Sequence, residues 1–243
     1  MTEIRSNRIQ YIENLFLNHD VTISKTQAEK FYDFYSLLIE KNKSVNLTAI
    51  TEFEEVVIKH FLDSVSLVRN ISMENVKLML DLGTGGGFPG TPIKMLYPHI
   101  DITYVDSVDK KLKFISECCE KLDLGEAKIC HARAEDLARD AEYREKYDLC
   151  TSRAVADLSV LSEYCIPFLH ENGIFAAYKS GDSEDEINGA KPAIKELGGK
   201  IIDVDEFEWE GMHRKIVLIN KVKKTPAKYP RKAGVPKKNP LGK

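Results

Sequence analysis

An apolar strand that leads directly into a glycine-rich turn constrains the fold of this chain more than any other part of its sequence. The segment 78–90 reads LMLDLGTGGGFPG, with five glycines among its last eight residues. Glycine adopts positive φ readily and lets the backbone approach a ligand closely. With Thr91 as N-cap and Pro92 at the first helical position, we expect a helix to begin directly after the turn. The pattern predicts a nucleotide-cofactor site, for either a dinucleotide or S-adenosylmethionine.

After the turn, β-like and helical segments alternate as far as residue 220, which is typical of a doubly wound α/β sheet. A short turn around Glu210-Gly211 separates the last two β-like segments, and such a closing hairpin favours a methyltransferase over a dehydrogenase. Strands are expected at 100–105, 127–132, 147–152, 173–179, 200–205 and 215–220, and helices at 110–122, 158–169 and 184–197.

Before the turn, apolar side chains recur at helical spacing over 8–40 and again over 51–68, with a polar segment between them that we expect to be a loop. His60 lies in the second of these stretches and is interpreted as a helix histidine that is satisfied in the core or at a seam. The predicted organisation is an N-terminal helical region at 1–75, a cofactor-binding α/β domain at 76–220 and a basic, proline-rich tail at 221–243.

Composition and cysteine usage exclude several classes of protein. The 243 residues are 43% hydrophobic, which is enough for a substantial core, and no apolar run approaches the roughly 20 residues of a membrane helix. The first residues lack the apolar stretch of a secretory signal, so we expect a cytoplasmic protein, by default a monomer. Five cysteines without a C-x-x-C pair argue against a disulfide framework and against a metal site such as zinc.

Positive charge is concentrated in the tail. Residues 221–243 hold nine basic side chains and no acidic one, which leaves 26 basic against 38 acidic side chains in the other 220 residues. Four prolines and two glycines in the tail predict an extended chain instead of a helix or a central strand. A polyanion such as RNA would suit this tail, and a solvated segment that keeps the protein soluble is the alternative. The candidate RNA-binding residues are Lys228, Arg231, Lys232, Lys237 and Lys238.

Polar side chains stand at the ends of the predicted strands, where ligands bind in sheets of this kind. Asp106 follows Gly83 by 23 residues, at a position where a carboxylate can accept hydrogen bonds from both hydroxyls of a ribose. Glu135 follows the third strand and could flank an adenine edge. Arg153 follows the fourth strand and Lys179 ends the fifth, so two cations are expected in the same cleft.

Eight short motifs resemble those of one protein family, and together they span nearly the whole chain. The set is far more specific than the glycine turn alone. The chain resembles the bacterial ribosomal RNA small subunit methyltransferase G family, also called glucose-inhibited division protein B. The motifs are NLTAI at 46–50, HFLDS at 60–64, DLGTGGGFPG at 81–90, VDS at 105–107, ARAEDL at 132–137, TSRAVADL at 151–158, YKSG at 178–181 and YPRKAGVPKKNPL at 229–241.

This resemblance implies a class I, Rossmann-like methyltransferase that transfers a methyl group from S-adenosylmethionine to N7 of a guanine in 16S rRNA, within the small ribosomal subunit or its precursor. The family often reads Leu-Lys-Gly where this chain has YKSG, which contains an additional serine. The implied cofactor contacts are Gly83, Phe88, Ala134, Glu135 and Arg153, and the strand-end positions add Gly85 and Asp106.

The implied chemistry agrees with the lack of an obvious general base in the sequence. Guanine N7 carries a lone pair and no proton, so displacement at the sulfonium methyl needs alignment more than proton transfer. Arg153 and Lys179 are the catalytic candidates, because their cations could contact a phosphate, the guanine O6 edge or the cofactor. For Arg153, an ion pair with Asp157 is the alternative. Methylation at pyrimidine C5 would need a cysteine nucleophile, and Cys150, inside the fourth strand, is interpreted as a core residue.

Other function classes stay open on the residues alone. A small-molecule methyltransferase would keep the glycine turn and the strand-end carboxylates but would have no use for a basic tail. A non-catalytic RNA-binding or assembly factor would keep the tail and need no cofactor. A nicotinamide dehydrogenase would share the turn and Asp106.

Overall fold

The computed structural model describes residues 3–153 and 155–242, and within these ranges one seven-stranded sheet organises the chain. The strand order is β3-β2-β1-β4-β5-β7-β6; neighbours from β3 to β5 are parallel, and β7 runs antiparallel to both β5 and β6. The strands are β1 (Leu78–Leu82), β2 (Asp101–Asp106), β3 (Lys128–His131), β4 (Tyr147–Arg153), β5 (Leu169–Ser180), β6 (Gly199–Trp209) and β7 (Met212–Lys221).

Helices cover both faces of the sheet, so the doubly wound α/β architecture predicted from the alternation is confirmed. The turn that joins β6 to β7 has positive φ at both Glu210 and Gly211. Positive φ at both central residues is typical of a tight β-hairpin turn, as the predicted closing hairpin requires. The α-helices are α1 (Glu3–Asn18), α2 (Lys25–Asn42), α3 (Phe53–Val56), α4 (Asp63–Val65), α5 (Gly90–Leu96), α6 (Asp109–Lys121), α7 (Ala134–Leu137), α8 (Leu158–Cys165), α9 (Glu184–Glu196) and α10 (Val235–Lys238).

The N-terminal helices share one hydrophobic core with one face of the sheet. Phe34 on α2 packs between Phe61 and Phe88, with ring centroids 5.4 and 5.5 Å away. Phe31 packs against Phe16 of α1 at 4.9 Å. Such aromatic pairs bury large apolar areas at defined geometry. The N-terminal helices therefore hold Phe88, at the end of the glycine turn, in a fixed position.

A π-helical segment interrupts the helix predicted over 51–68. Helix α3 continues as a π-helix over Val57–Leu62, then as α4, and ends as a 3₁₀ turn at Ser66–Arg69. The helical extent was predicted correctly, but its type was not. π-helical turns are rare and are frequently found at functional sites, because they redirect side chains on one face of a helix. Here the π-helical stretch carries His60.

The helix after the glycine turn begins two residues earlier than the sequence predicts. Its N-cap is Pro89 and its first residue is Gly90, so Thr91 is not the cap and Pro92 is not the first helical residue. The cause is a buried carboxylate from another element: Asp81 Oδ2 on β1 accepts the Gly90 N–H at 3.0 Å. Asp81 thus satisfies a helix-terminal donor that a local cap would otherwise take.

The tail is docked on the protein and is not the extended chain predicted from its prolines. Tyr229 and Pro236 are buried, and α10 forms a short helix. Proline is compatible with the first turn of a helix, and Gly234 supplies the left-handed backbone, with φ 82°, that precedes it. Over the described ranges, none of the helices is both long enough and apolar enough to cross a membrane.

Candidate functional site

A cavity of about 1040 Å³ lies at the carboxyl ends of the central strands. Ligands bind at this edge in open α/β sheets, and the volume is at the upper limit of the roughly 300–1,000 Å³ typical of small-molecule sites. Every residue predicted to contact the cofactor or to be catalytic lines it, together with one lysine of the tail. These residues are Gly83, Gly85, Phe88, Asp106, Ala134, Glu135, Arg153, Lys179 and Lys237.

The glycine turn is organised by the carboxylate of Asp81 beneath it. Its Oδ2 accepts from the Thr84 hydroxyl at 2.6 Å and from the Gly90 N–H, while its Oδ1 accepts from the Thr151 hydroxyl at 3.0 Å. Gly83 and Gly85, in the turn itself, have φ of 69° and 57°. A carboxylate bonded from three elements fixes the turn relative to β1 and β4, so the rim of the cavity is preorganised.

The environment of Asp81 predicts an unusual dependence of stability on pH. The side chain is fully buried, and burial raises the pKa of Asp81 from 3.8 to about 6, although its three hydrogen bonds and Arg153 oppose the shift. The folded state therefore binds this proton more tightly than the unfolded state does. Its contribution to the free energy of unfolding must fall as pH rises from about 4 to about 6, by roughly 3 kcal/mol.

We expect Asp81→Asn to remove this dependence, because the amide keeps an acceptor oxygen and does not titrate. Urea unfolding of both proteins at pH 4, 5, 6 and 7 measures it: the stability of the variant relative to the wild type should increase by roughly 3 kcal/mol across this range. Parallel profiles for the two proteins would show that Asp81 does not titrate between these pH values.

Asp106 is held in place at the end of β2 by two backbone donors. Its Oδ2 accepts from the Gly85 N–H at 3.0 Å and its Oδ1 from the Val108 N–H at 2.9 Å. A carboxylate has about four lone-pair sites, so each oxygen can still accept a further hydrogen bond. The geometry is thus suited to a ligand with two neighbouring hydroxyls.

Glu135 also lines the cavity and is hydrogen-bonded to the tail. Its carboxylate is buried, and Oε1 accepts from the backbone N–H of Gly234 at 2.9 Å. Tyr164 lines the cavity beside it; burial, together with the charge of Glu135, raises the pKa of Tyr164 to about 12. No sequence motif indicated that Gly234 would reach Glu135.

His60 lines the cavity, although the sequence suggested only a packing role. Its ring stacks on Phe88 at 4.6 Å, and its Nε2 lies 2.7 Å from the Thr48 hydroxyl. Nδ1 lies 3.4 Å from Nη2 of Arg153, which can only donate, so we assign the proton to Nε2. Burial, and next the charge of Arg153, lower the pKa of His60 to about 4. The imidazole is therefore neutral at pH 7.

Arg153 forms an ion pair with Asp63 at 2.7 Å and places its guanidinium 5.1 Å from the Phe88 ring centre. The second oxygen of Asp63 accepts from Nε of Arg214 at 2.8 Å. One buried carboxylate thus orients two guanidinium groups that both line the cavity. Asp157, the partner considered from the sequence, caps α8 by accepting the Ser159 N–H at 3.0 Å.

Sequence reasoning missed Asp63 and Arg214 for different reasons. Asp63 follows His60 by three residues, which places both on one face of a helix, and this spacing was a usable signal. Arg214 lies at the start of a strand with no local motif around it. It reaches the cavity because antiparallel pairing of β7 with β5 sets it opposite Ser180.

Lys179 lines the cavity, but its ammonium has protein partners. Nζ donates to the carbonyl of Ala156 at 2.8 Å and lies 2.5 Å from a carboxylate oxygen of Glu186 on α9. Only 10% of the side chain is exposed. The structure therefore places Lys179 as a bridge between β5 and α9 at the rim of the cavity.

The tail lysines and arginine predicted to bind RNA divide into two groups. Lys228 pairs with Glu196, and Arg231 pairs with Glu163 at 2.6 Å. Lys228 is nevertheless exposed, as are the other three: Lys232, Lys237 and Lys238. In the described parts of the chain, no group of three or more His, Cys, Asp or Glu side chains is arranged to hold a metal ion. All five cysteines are buried, as expected of core residues, and burial raises the pKa of the Cys150 thiol.

The chain is similar to known methyltransferases in sequence and in fold. The family model described as GidB, rRNA small subunit methyltransferase G, matches residues 27–217. The ribosomal RNA small subunit methyltransferase G of Acetivibrio thermocellus is 45% identical over 223 residues, which cover 91% of each chain. The fold is similar to that of ribosomal protein L11 methylase from Lactobacillus delbrueckii subsp. bulgaricus (TM-score 0.51, 15% identity, 72% of this chain and 81% of that chain). It is also similar to a mutant 16S rRNA (adenine(1408)-N(1))-methyltransferase from Catenulisporales acidiphilia with cosubstrate SAM (TM-score 0.50, 12% identity, 61% and 86%).

Proposed function

The chain belongs to the GidB family of rRNA small subunit methyltransferases G, and from this premise we propose that it transfers a methyl group from S-adenosylmethionine to N7 of a guanine in 16S rRNA. The observation that carries the proposal is the meeting, in one cavity, of the glycine turn, two strand-end carboxylates and a pair of oriented arginines. The first two parts suit a nucleoside ligand, and the third suits a polyanionic acceptor.

The residues at the cavity fit an adenosine-containing cosubstrate. Asp106 can accept from both ribose hydroxyls, because its two backbone hydrogen bonds leave lone pairs on each oxygen. A Cβ built on Gly85 would lie 3.9 Å from its nearest neighbour, so the turn leaves open space where a ligand would approach. Glu135 and Ala134 line the same cavity, and Glu135 could flank an adenine edge there. When bound, the cosubstrate supplies an electrophilic methyl group.

The acceptor end of the cavity fits a substrate that needs no deprotonation. His60 is a poor general base, because its pKa is lowered to about 4 and its Nδ1 faces a guanidinium. Guanine N7 presents a lone pair without a proton. The chain's contribution is therefore to orient the guanine toward the methyl group and to exclude other acceptors. Arg153 and Arg214 carry fixed positive charge toward this end, where a phosphate or a base edge can accept from them.

The proposal is tested by transfer of labelled methyl to 30S subunits isolated from a strain that lacks the gene. Nucleoside mass spectrometry of the 16S rRNA should then show 7-methylguanosine. Naked 16S rRNA is assayed in parallel to distinguish RNA from an assembled subunit as substrate. Binding of the cosubstrate without transfer to either acceptor would contradict the proposal and point to a small-molecule acceptor.

Within this proposal, Arg153→Ala is expected to lower methyl transfer at least about 100-fold while the protein stays folded, because Arg214 still neutralises Asp63 and only the alignment is lost. Arg153→Lys should be intermediate, because an ammonium keeps the charge but not the planar contact with Phe88. The control is Lys113→Ala, which removes an exposed pair with Asp109 on α6. A fully active Arg153→Ala variant would remove this residue from the site.

A further inference from the structure

The segment 225–242, which we call the C-terminal segment, is fastened to the domain by a buried ion pair. Arg231 Nε and Nη2 donate to the two carboxylate oxygens of Glu163 on α8, at 3.0 and 2.6 Å, and the Arg231 backbone N–H donates to Oε1 at 2.7 Å. Only 1% of the Glu163 side chain is exposed. A carboxylate so deeply buried needs these donors, so displacement of the segment would leave an uncompensated charge in the interior.

Further contacts hold the first half of the same segment. Arg144 donates to the carbonyls of Tyr229, at 2.9 Å, and Thr225, at 3.0 Å. Arg139 donates to the Pro230 carbonyl at 2.5 Å, and the Tyr229 hydroxyl bonds to Glu196. These contacts satisfy backbone groups of a chain that forms no sheet here. The C-terminal segment is therefore anchored on both sides of residue 230.

Beyond this anchor, the segment reaches the cavity. The Gly234 N–H donates to Glu135 Oε1 at 2.9 Å, and Gly234 and Lys237 both line the cavity wall. Only two residues separate Arg231 from Gly234, so the position of the Glu163 ion pair determines where the Gly234 amide points. Gly234 has φ 82°, a conformation that glycine adopts without the cost other residues incur.

We propose that the C-terminal segment is a positioning element of the cosubstrate site: the Arg231–Glu163 pair holds the Gly234 amide against Glu135 and thereby sets the affinity of the site. The inference rests on the proposed binding of S-adenosylmethionine, because it assigns a role within that site. The docked Gly234 amide fixes Oε1 of Glu135, and release of the segment would remove this backbone donor and leave Tyr164 as the neighbouring hydrogen-bond partner. By reciprocity, a ligand bound at Glu135 stabilises the docked segment by the same factor.

This role is separable from RNA binding by the tail. Arg231 is committed to Glu163, whereas Lys232, the next residue, is exposed. Neutralising Lys232 should weaken an electrostatic contact with RNA and reduce its salt dependence, while leaving the segment docked. Arg231 and Lys232 thus form a matched pair of adjacent cations, one in the anchor and one outside it.

The test measures the affinity for S-adenosylhomocysteine by calorimetry in full-length wild type, Arg231→Ala and Lys232→Ala. We expect Arg231→Ala to raise the Kd at least tenfold and Lys232→Ala to leave it within twofold. Hydrogen exchange of residues 229–242 should be faster in Arg231→Ala, and S-adenosylhomocysteine should slow it in the wild type. At saturating S-adenosylmethionine, the kcat of Arg231→Ala should recover, because the variant loses affinity and not alignment.

A second variant keeps the proposal falsifiable if Arg231→Ala does not fold. Gly234→Pro removes the N–H donor and cannot adopt φ 82°, yet leaves the Arg231–Glu163 pair intact, and it should raise the Kd similarly. Release of the segment in either variant without a change in Kd would overturn the proposal, as would a segment that stays docked in Arg231→Ala. Failure of the wild type to bind S-adenosylhomocysteine would instead overturn the proposed function.

Discussion

Replacing Asp63 with alanine is expected to abolish measurable methyl transfer and to lower the free energy of unfolding by roughly 3–5 kcal/mol. Asp63 is 3% exposed and bonds to Arg153 through one oxygen and to Arg214 through the other. Without the carboxylate, two guanidinium groups lose their counter-ion and repel each other, so both leave their positions at the cavity. Transfer to 30S subunits and urea unfolding at pH 7 measure the two effects.

Two other variants show whether the buried position of Asp63 causes these losses of methyl transfer and stability. Asp205→Ala breaks a pair with Arg69 that is partly exposed, and it should cost about 1 kcal/mol or less and leave transfer intact. Asp63→Asn keeps an acceptor oxygen without the charge and should fall between the wild type and alanine. If Asp63→Ala retained more than a tenth of the wild-type rate, the arginines would not depend on it for their orientation.

The π-helical stretch and the helix that follows it each supply a group that contacts Arg153. His60, in the π-helix, and Asp63, the first residue of α4, both contact Arg153. In a regular α-helix, side chains three residues apart point in directions that differ by about 60° around the helix axis. A π-helical turn is wider, so this angle changes where the π-helix is present. The N-terminal helical region is thereby joined to β4 and β7 through charge as well as through its aromatic core.

The sheet and much of the candidate site could be predicted because their signals are local. The glycine turn, Asp106 and Glu135 each stand where a strand ends, and strand ends are readable from alternating apolar segments. Arg214 carried no such signal, because only the register of an antiparallel pair brings it to the cavity. Cap assignment at Thr91 was wrong for a similar reason: the acceptor for the helix terminus is Asp81, on another element.

The tail shows the limit of reasoning from composition. Its prolines predicted an extended chain, and its charge predicted RNA binding with a solvated segment as the alternative, since neither property reveals a partner in the fold. Glu163 and Glu196 lie on α8 and α9, where they look like ordinary helix carboxylates, yet they pair with Arg231 and Lys228. RNA binding by the exposed lysines of the tail stays a prediction, whereas its docking is a finding of the structure.

The second large effect is expected at Gly90, where the glycine turn becomes α5. A Cβ at this position would lie 2.7 Å from a ring carbon of Tyr104 and 2.8 Å from Oδ2 of Asp81. Both neighbours are buried, so neither can move without disturbing the core. We expect Gly90→Ala to lower the free energy of unfolding by about 3 kcal/mol or more, through overpacking and the loss of an Asp81 hydrogen bond.

Gly189→Ala is the matched control, because Gly189 lies within α9 and a Cβ there would meet no atom within 4 Å. Alanine is a better helix former, so this variant should gain roughly 0.5–1 kcal/mol. Thermal or urea unfolding of the two variants should therefore shift in opposite directions.

Gly90→Ala should also lose affinity for S-adenosylhomocysteine beyond what reduced stability explains, because Asp81 holds the turn and the turn forms the cavity rim. A Gly90→Ala protein with wild-type stability would show that Asp81 and Tyr104 can yield, and the turn would then not be rigidly set from below.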